Sequence, residues 1–281
     1  MSLVMLRKHI IVDTQTHICD SSFDADRDEV LHKAAKAGVS AVIAVGENIS
    51  DARRNVELAG KYPMIRPAAG LYPTILDLDQ AERMHSFIRQ ERAKLVAIGE
   101  VGLDFWVVKE EPAKELQKEI LKGFINLSKE LDLPLNIHSR SAGRHAVALL
   151  LEHGATRVQM HAFDGKASAA LPAVEAGFFF SIPPSVVRSR QKQKLVKHLP
   201  LSCLLVETDS PVLGPDPKQR NEPANITFAI KAIMELKSAG EDEVLEAVYE
   251  NTCRLYGLPF LNPPGGRGFN SPPLGALKFS V

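Results

Sequence analysis

Residues of the kinds that bind metal ions stand at the ends of separate apolar runs, and this feature constrains the fold most. Glu100 ends the run LVAIGE, His138 ends LPLNIH and His161 ends RVQMH. Asp209 ends CLLVETD, and His17 ends the first run, IIVDTQTH. A (β/α)8 barrel builds its active site from side chains at the carboxyl ends of several different strands. The recurrence therefore predicts a barrel with polar groups gathered at one rim.

Eight short runs rich in Val, Ile, Leu and Phe alternate with stretches of helical periodicity. Their lack of polar alternation predicts strands buried on both faces of a parallel sheet. The strands are predicted at residues 10–13, 41–45, 65–69, 95–98, 135–137, 158–160, 178–182 and 204–206, and helices at 25–37, 116–131, 142–152, 167–176, 224–238 and 242–256. We predict a closed (β/α)8 barrel. An open doubly wound sheet is the alternative, but it more typically has a Gly-rich loop after the first strand, and residues 13–20 have none.

The length and the end of the chain predict one domain followed by a tail. The 281 residues suit a single α/β barrel, which commonly has about 250 residues. Beyond Pro259 the sequence is crowded with Pro and Gly and has no periodicity. We therefore predict a barrel over residues 1–258 and an extended tail over 259–281.

Charge and cysteine content narrow the class of protein. Lys and Arg together number 34, as do Asp and Glu, so no global basic field indicates nucleic-acid binding and any such contact would be local. Cys19, Cys203 and Cys253 are far apart without a CxxC pair, which favours a reducing, cytoplasmic location. No apolar run approaches the roughly 18 residues of a membrane span. We expect no membrane association, and no protein partner is indicated.

The strand-end residues are of the types that bind divalent metal ions. A carboxylate such as Glu100 at the end of a buried run is costly unless it is paired or bound to a cation. His138 and His161 with Glu100 provide the two nitrogens and one oxygen typical of catalytic zinc or a similar ion. Asp209 is a further candidate, either as a ligand or as the group that accepts a proton from water. We predict catalytic roles for Glu100 and Asp209.

The motifs around these residues resemble those of the TatD family of metal-dependent deoxyribonucleases, which belong to the amidohydrolase-like metallohydrolases. The resemblance runs from about Ile10 to Leu258 in order and at matching spacing. The motifs are GEVGLDF at 99–105, NIHSR at 136–140, HAFDG at 161–165, ETDSP at 207–211 and RNEP at 220–223. The resemblance implies a (β/α)8 barrel, DNA as the substrate and a two-metal site.

The same resemblance implies how the ligands divide between the two ions. Glu100 would bridge them, and His138 and His161 would complete the ligands of one ion. The pair of residues at the end of the first strand, which includes His17, would bind the other ion together with Asp209. Two ions about 3.5–4 Å apart hold a scissile phosphate and activate water.

The chain departs from the family at two positions. Gln15-Thr16-His17 stands where the family has His-x-His, and Gly70-Leu71-Tyr72-Pro73 stands where it has Gly-x-His-Pro. The amide oxygen of Gln15 is a poorer zinc ligand than imidazole, so we count it as a weak ligand. The resemblance implies that the family's histidine at the second position meets the substrate phosphate. The Tyr72 hydroxyl can still donate a hydrogen bond there but carries no positive charge. We predict one firm metal site, for Zn, Mg or Mn, and a second that is weak or absent.

Two basic features are further candidates for substrate binding. Arg140, two residues after His138, would contact a phosphate oxygen, although a surface salt bridge is the alternative. The segment 188–194, RSRQKQK, is a local basic cluster, either a solvated helix face or a contact to a phosphate backbone. We name Tyr72 and Arg140 as the predicted substrate-binding residues.

Three functions remain open from the sequence. The first is metal-dependent phosphodiester hydrolysis of DNA, which the resemblance favours. The second is hydrolysis of a small amide, ester or phosphoester by the same architecture, which the neutral overall charge favours. The third is a weakened, single-metal homologue that acts as a binding protein, for which Gln15 and Tyr72 are the reasons.

Overall fold

A computed structural model describes residues 10–257, and within them eight parallel strands follow one another around a barrel. Each strand pairs with the next strand in the chain. The strands are β1 (Ile11–Thr16), β2 (Val39–Ala44), β3 (Ile65–Ala69), β4 (Ala97–Gly102), β5 (Leu135–His138), β6 (Val158–Met160), β7 (Phe179–Ile182) and β8 (Leu204–Val206). The predicted single-domain (β/α)8 barrel is confirmed. The predicted tail at 259–281 lies outside the described residues.

Nine α-helices of the described region accompany the strands. They are α1 (Arg27–Lys36), α2 (Ile49–Lys61), α3 (Leu78–Glu91), α4 (Glu111–Leu131), α5 (Gly143–Glu152), α6 (Ala167–Glu175), α7 (Arg190–His198), α8 (Ile226–Lys237) and α9 (Glu241–Tyr256). Helices α2 and α3 were not among the predicted ranges, yet each has a capping side chain. Asn48 accepts backbone N–H groups at the start of α2, and Asp77 does so at the start of α3. Such caps are a sequence signal for a helix start.

The barrel closes where the chain after β8 meets β1. The backbone N–H of Asp209 donates to the carbonyl of Gln15 at 2.9 Å, and that of His17 donates to the carbonyl of Ser210 at 2.8 Å. These bonds satisfy backbone groups that an open sheet edge would leave unpaired. They also bring polar residues of the first and last strands together at the carboxyl end of the barrel.

Alternate residues of the strands pack on opposite faces of the sheet. Val42 and Ala44 of β2 belong to the large apolar cluster that includes the buried faces of the surrounding helices. Ala41 and Ile43 belong to a second cluster, which also contains Tyr256 at the end of α9. This arrangement of an inner and an outer apolar layer is expected for strands buried on both faces.

Strand β1 extends beyond the end that its apolar pattern predicted. It continues through Thr16, whereas the prediction ended at residue 13. The added residues are polar but hydrogen-bonded across the barrel: Thr14 Oγ1 donates to the carbonyl of Val206 at 2.9 Å. An unpaired buried polar group costs about 1–3 kcal/mol, so these contacts allow a polar sequence to remain in a buried strand.

Strand β4 also extends further than predicted, through Gly102 rather than residue 98. Gly102 has a φ of +154°, and a Cβ atom there would lie 2.0 Å from the carbonyl oxygen of His138. Only glycine permits so close an approach of β4 to β5. Because Glu100 lies within β4 and His138 ends β5, this approach brings their side chains together.

Candidate metal centre

Three buried side chains from successive strands converge at the carboxyl end of the barrel. Glu100 comes from β4, His138 from β5, and His161 from the position directly after β6. His138 Nδ1 lies 2.5 Å from Glu100 Oε1, and His161 Nε2 lies 3.2 Å from the same oxygen. One ligand atom from each residue lies within 4.8 Å of the other two. This group of three, called here the histidine half of the site, is compact enough to hold a metal ion.

Each histidine of this half is backed by a second carboxylate. Asp104 Oδ2 lies 3.3 Å from His138 Nε2, and Glu207 Oε2 lies 3.5 Å from His161 Nδ1. Such partners fix the tautomer and ring orientation of a ligating histidine and increase its basicity. Asp104 and Glu207 are therefore placed to orient the ring nitrogens that face Glu100.

Two turns at the site have positive backbone φ angles, which residues other than glycine rarely adopt. Ala162 has a φ of 37° and Asp209 a φ of 54°, and such positions cost on the order of 1–3 kcal/mol. Hydrogen bonds hold both turns. The N–H of Ala162 donates to Glu207 Oε1 at 2.9 Å, and that of Asp209 donates to Gln15. The surrounding structure thus determines where His161 and Asp209 point.

The second part of the site, called here the glutamine half, comprises Gln15, His17 and Asp209. His17 Nε2 lies 3.2 Å from Glu100 Oε2 and 3.5 Å from Asp209 Oδ1. Gln15 Nε2 donates to Asp209 Oδ1 at 3.2 Å. The side-chain amide therefore presents its nitrogen, not its oxygen, to the carboxylate with which it would share an ion.

Among the described residues, Glu100 Oε2, Gln15 Oε1 and His161 Nδ1 are buried and make no hydrogen bond. Charged neighbours lie close to two of them: His17 Nε2 is 3.2 Å from Glu100 Oε2, and Glu207 Oε2 is 3.5 Å from His161 Nδ1. A carboxylate oxygen left this way in an apolar interior is unfavourable unless a cation or proton satisfies it. The donor set, with two imidazole nitrogens and a carboxylate, suits a divalent transition metal ion. The residues present therefore fit a bound metal ion.

Electrostatic interactions keep the central carboxylate ionised. Burial acts to raise the pKa of Glu100, but the adjacent His161 and His138 outweigh it and hold that pKa well below its ordinary value. Burial acts to lower the pKa of His17, yet Asp209 and Glu100 raise it well above the ordinary value. The pKa values of His138 and His161 are likewise raised against the effect of burial, chiefly by Glu100. The site thus concentrates negative charge that attracts cations.

A cavity of about 850 Å³ lies over these residues, and the two predicted substrate-binding residues line it. The Tyr72 ring meets the His138 ring edge-on, with centroids 5.1 Å apart. Burial raises the pKa of Tyr72, so its hydroxyl stays a neutral donor. The Arg140 guanidinium lies 5.2 Å from the centroid of the Trp106 ring.

The chain is similar to known proteins over most of its length. A family model described as TatD related DNase matches residues 12–257. The chain belongs to this family. It is 43% identical to human "Deoxyribonuclease TATDN3", over 88% of this chain and 94% of the human protein. It is 34% identical to "Uncharacterized metal-dependent hydrolase YabD" of Bacillus subtilis, over 89% of this chain and 100% of that protein.

A solved structure agrees with this assignment. The crystal structure of YjjV, the TatD homologue of Escherichia coli, superposes with a TM-score of 0.82 at 29% sequence identity, covering 89% of this chain and 98% of YjjV. The similarity thus extends over nearly the whole TatD-family barrel. No helix within residues 10–257 combines the length and apolar character needed to cross a membrane.

All the predicted metal-binding and substrate-binding residues except Gln15 line this cavity, and Gln15 is hydrogen-bonded to Asp209. The histidine half forms a compact group, the glutamine half adjoins it through Glu100, and Tyr72 and Arg140 lie at the walls. The sequence did not single out Glu207 or Lys192, which also reach the site. Glu207 had a signal, because it lies in the ETDSP segment directly after β8. Lys192 was predicted only as part of the basic cluster at 188–194.

Proposed function

We propose that this protein is a divalent-metal-dependent hydrolase that cleaves phosphodiester bonds of DNA. The observation that carries the proposal is the histidine half: Glu100, His138 and His161 converge at the carboxyl end of a TatD-family barrel. The names of its relatives, a deoxyribonuclease and a metal-dependent hydrolase, support both parts of the proposal.

Glu100, His138 and His161 would hold one metal ion firmly. The ion, when bound, supplies Lewis acidity that polarises a phosphoryl oxygen and makes water nucleophilic at neutral pH. Asp104 and Glu207 orient the two imidazoles, as their contacts with the outer ring nitrogens support. Glu100 would also help to hold a second ion together with His17, whose Nε2 lies 3.2 Å from Glu100 Oε2.

Gln15, His17 and Asp209 would form a second, weaker site. Gln15 contributes at most a neutral amide oxygen, and its amide nitrogen already donates to Asp209. Turning the amide over would give up this bond. We therefore propose that the second ion is weakly held or absent.

Asp209 is the proposed proton acceptor for the attacking water. Its Oδ1 lies near His17 and accepts from Gln15, while the side chain borders the cavity in which a substrate phosphate would lie. A general base must lie within hydrogen-bond reach of the proton it removes. Tyr72 and Arg140 would contact the phosphate from the cavity walls, Tyr72 through its neutral hydroxyl and Arg140 through its guanidinium.

Nuclease assays with added Mg²⁺, Mn²⁺ or Zn²⁺ on single- and double-stranded DNA test this proposal. We expect metal-dependent cleavage by the wild type, and loss of both activity and bound metal in Glu100→Ala. The matched control is His32→Ala, since His32 is exposed on α1 and should leave both unchanged. If no ion supports cleavage and Glu100→Ala behaves like the wild type, DNA hydrolysis is ruled out.

The same assays distinguish the two remaining functions. Turnover of small phosphodiesters or esters without turnover of DNA would favour a small-molecule hydrolase. Metal binding without turnover of either would favour a binding protein, as the altered Gln15 and Tyr72 would suggest.

We further propose a cytoplasmic location and a catalytic domain spanning residues 1–258. Cys19 and Cys203 are buried and free, and Cys253 is also free, which supports a reducing compartment. Burial raises the pKa of the Cys19 thiol to about 12, so this cysteine next to the cavity is an unreactive thiol at neutral pH. Fractionation of cells that express the chain would test the location.

A further inference from the structure

One lysine of the basic helix α7 differs from its neighbours. Lys194 and Lys197 are exposed on the outer side of the barrel, whereas Lys192 is partly buried and lines the cavity over the metal centre. Its ammonium group donates a hydrogen bond to the carbonyl of Ala162 at 2.8 Å. Ala162 directly follows His161, so the positive charge of Lys192 lies beside the histidine half of the site.

The ammonium group of Lys192 has more N–H donors than its hydrogen bond to Ala162 uses. It carries three N–H groups, and the hydrogen bond to Ala162 uses one of them. Among residues 10–257, no carboxylate oxygen lies within the 4.0 Å of an ion pair with this nitrogen. Removing a cation from water without an anionic partner is costly. A ligand anion in the cavity would supply that partner.

The neighbouring carboxylates are already engaged in other contacts. Asp164 Oδ2 accepts the backbone N–H of Ser141 at 2.7 Å. Glu207 accepts the N–H of Ala162 at 2.9 Å and the hydroxyl of Ser181 at 2.5 Å. These bonds hold both acids away from ion-pair contact with Lys192, and Lys192 and its partner Ala162 both line the cavity.

We propose that Lys192 is a phosphate-binding residue that contacts a non-bridging oxygen of the substrate beside the metal centre. This inference rests on the proposed phosphodiester substrate. It identifies a source of positive charge at the site besides Arg140, which matters because Tyr72 provides only a neutral hydroxyl. Lys192 approaches from the His161 side, whereas Tyr72 packs against His138, so the two would hold the phosphate from different walls.

A purely structural role for Lys192 is the alternative. Its bond to Ala162 ties α7 to the turn that follows His161, and this tie alone would stabilise the turn. A structural lysine would affect folding or metal content but not the affinity for an anion. Binding of inorganic phosphate to the metal-loaded protein therefore separates the two roles and does not depend on turnover.

The experiment compares full-length wild type, Lys192→Met, Lys192→Arg and Lys197→Met, each loaded with Mn²⁺, by calorimetric titration with inorganic phosphate. We expect Lys192→Met to weaken phosphate binding by about 10-fold or more, the value of a charge-assisted hydrogen bond. Lys192→Arg should restore most of the affinity. Lys197→Met removes the same charge from an exposed position of α7 and should leave the affinity unchanged.

Activity on an oligodeoxynucleotide gives a second, separate readout. If DNA is cleaved, Lys192→Met should lower kcat/KM by a similar factor with metal content unchanged. If DNA is not cleaved but phosphate affinity still depends on Lys192, the anion site stands and the proposed substrate fails.

Three results obtained with folded proteins would overturn the phosphate site. They are equal phosphate affinity in wild type and Lys192→Met, equal losses in Lys192→Met and Lys197→Met, and no phosphate binding by the metal-loaded wild type. Circular dichroism checks folding. Should Lys192→Met not fold, Lys192→Gln, which keeps a donor for Ala162 without the charge, replaces it. Unfolding of both neutral variants would assign Lys192 to structure alone.

Discussion

The two halves of the site share Glu100 but differ in how their other ligands are supported. In the histidine half, His138 and His161 each present one nitrogen to Glu100 and the other to a buried carboxylate. In the glutamine half, Gln15 donates to Asp209, and its oxygen is left without a partner. The two halves thus differ in the groups behind their candidate ligands, and we expect these groups to influence how firmly each half binds an ion.

The largest expected effect comes from replacing the two carboxylates that contact the outer ring nitrogens of His138 and His161. In Asp104→Asn and Glu207→Gln, we expect metal affinity to fall by about 10- to 100-fold, because these carboxylates orient the imidazoles. Isothermal titration with Zn²⁺ measures the change. Glu57→Gln, an exposed substitution on α2, is the control and should bind the ion like the wild type. Unchanged affinity in both site variants would mean that the histidine half does not depend on this support.

The architecture, and the gathering of the candidate ligands at one end of the barrel, were predictable because both follow from local pattern. Short apolar runs predict parallel strands, and a polar residue at the end of each run is placed at the barrel mouth by the topology itself. The exact ends of β1 and β4 were not predictable from hydrophobicity. Polar Thr14 remains in a buried strand because its hydroxyl donates a hydrogen bond across the barrel. Gly102 remains in β4 because β5 passes too close to leave room for a Cβ atom.

The parts that could not be predicted depend on contacts between distant segments. The orientation of the Gln15 amide is set by Asp209, 194 residues away in the chain. The inward position of Lys192 depends on the turn at Ala162, 30 residues earlier. Helical spacing does place Lys192, unlike Lys194, on the buried face of α7 with Leu195, Val196 and Leu199, but it does not reveal the contact with Ala162.

Replacing Gln15 with histidine should make the two halves more similar in metal binding. In Gln15→His, we expect metal content to rise from about one to about two ions per chain, because imidazole is a better ligand than an amide oxygen. Elemental analysis after dialysis measures the stoichiometry. Gln90→His adds the same side chain at an exposed position and should bind no additional ion. Two tightly bound ions in the wild type would contradict the proposed weakness of this half.

The neutral hydroxyl of Tyr72 should make a smaller contribution to activity on DNA. In Tyr72→Phe, we expect kcat/KM on DNA to fall by about 3- to 10-fold, since a neutral hydrogen bond contributes about 0.5–1.5 kcal/mol. Steady-state kinetics at fixed metal concentration measure the loss. Tyr62→Phe, whose hydroxyl contacts Asp28 on the outside of the barrel, is the control. A loss of 100-fold or more would show that Tyr72 does more than donate one neutral bond.

The smallest expected effect is the pH dependence of the stability that a bound metal ion gives to the folded protein. The pKa values of His17, His138 and His161 are raised in the folded protein, so without metal their protonation stabilises the fold most below about pH 6.5, the ordinary histidine value. This contribution is lost as the pH rises through the raised values. A metal ion must displace these protons, so it binds more weakly at low pH.

Adding Mn²⁺ to metal-free protein should therefore raise Tm more at pH 8 than at pH 6. We expect an increase of roughly 5–10 °C at pH 8 when the ion is present at about 100 times its Kd, and a smaller one at pH 6. Differential scanning calorimetry measures both, and the same scans on His138→Ala should show little metal effect at either pH. An increase in Tm that is equal at the two pH values would mean that the ion does not compete with protons on these histidines. The cation would then be held outside the histidine half, and the contrast between the two halves would no longer explain metal binding.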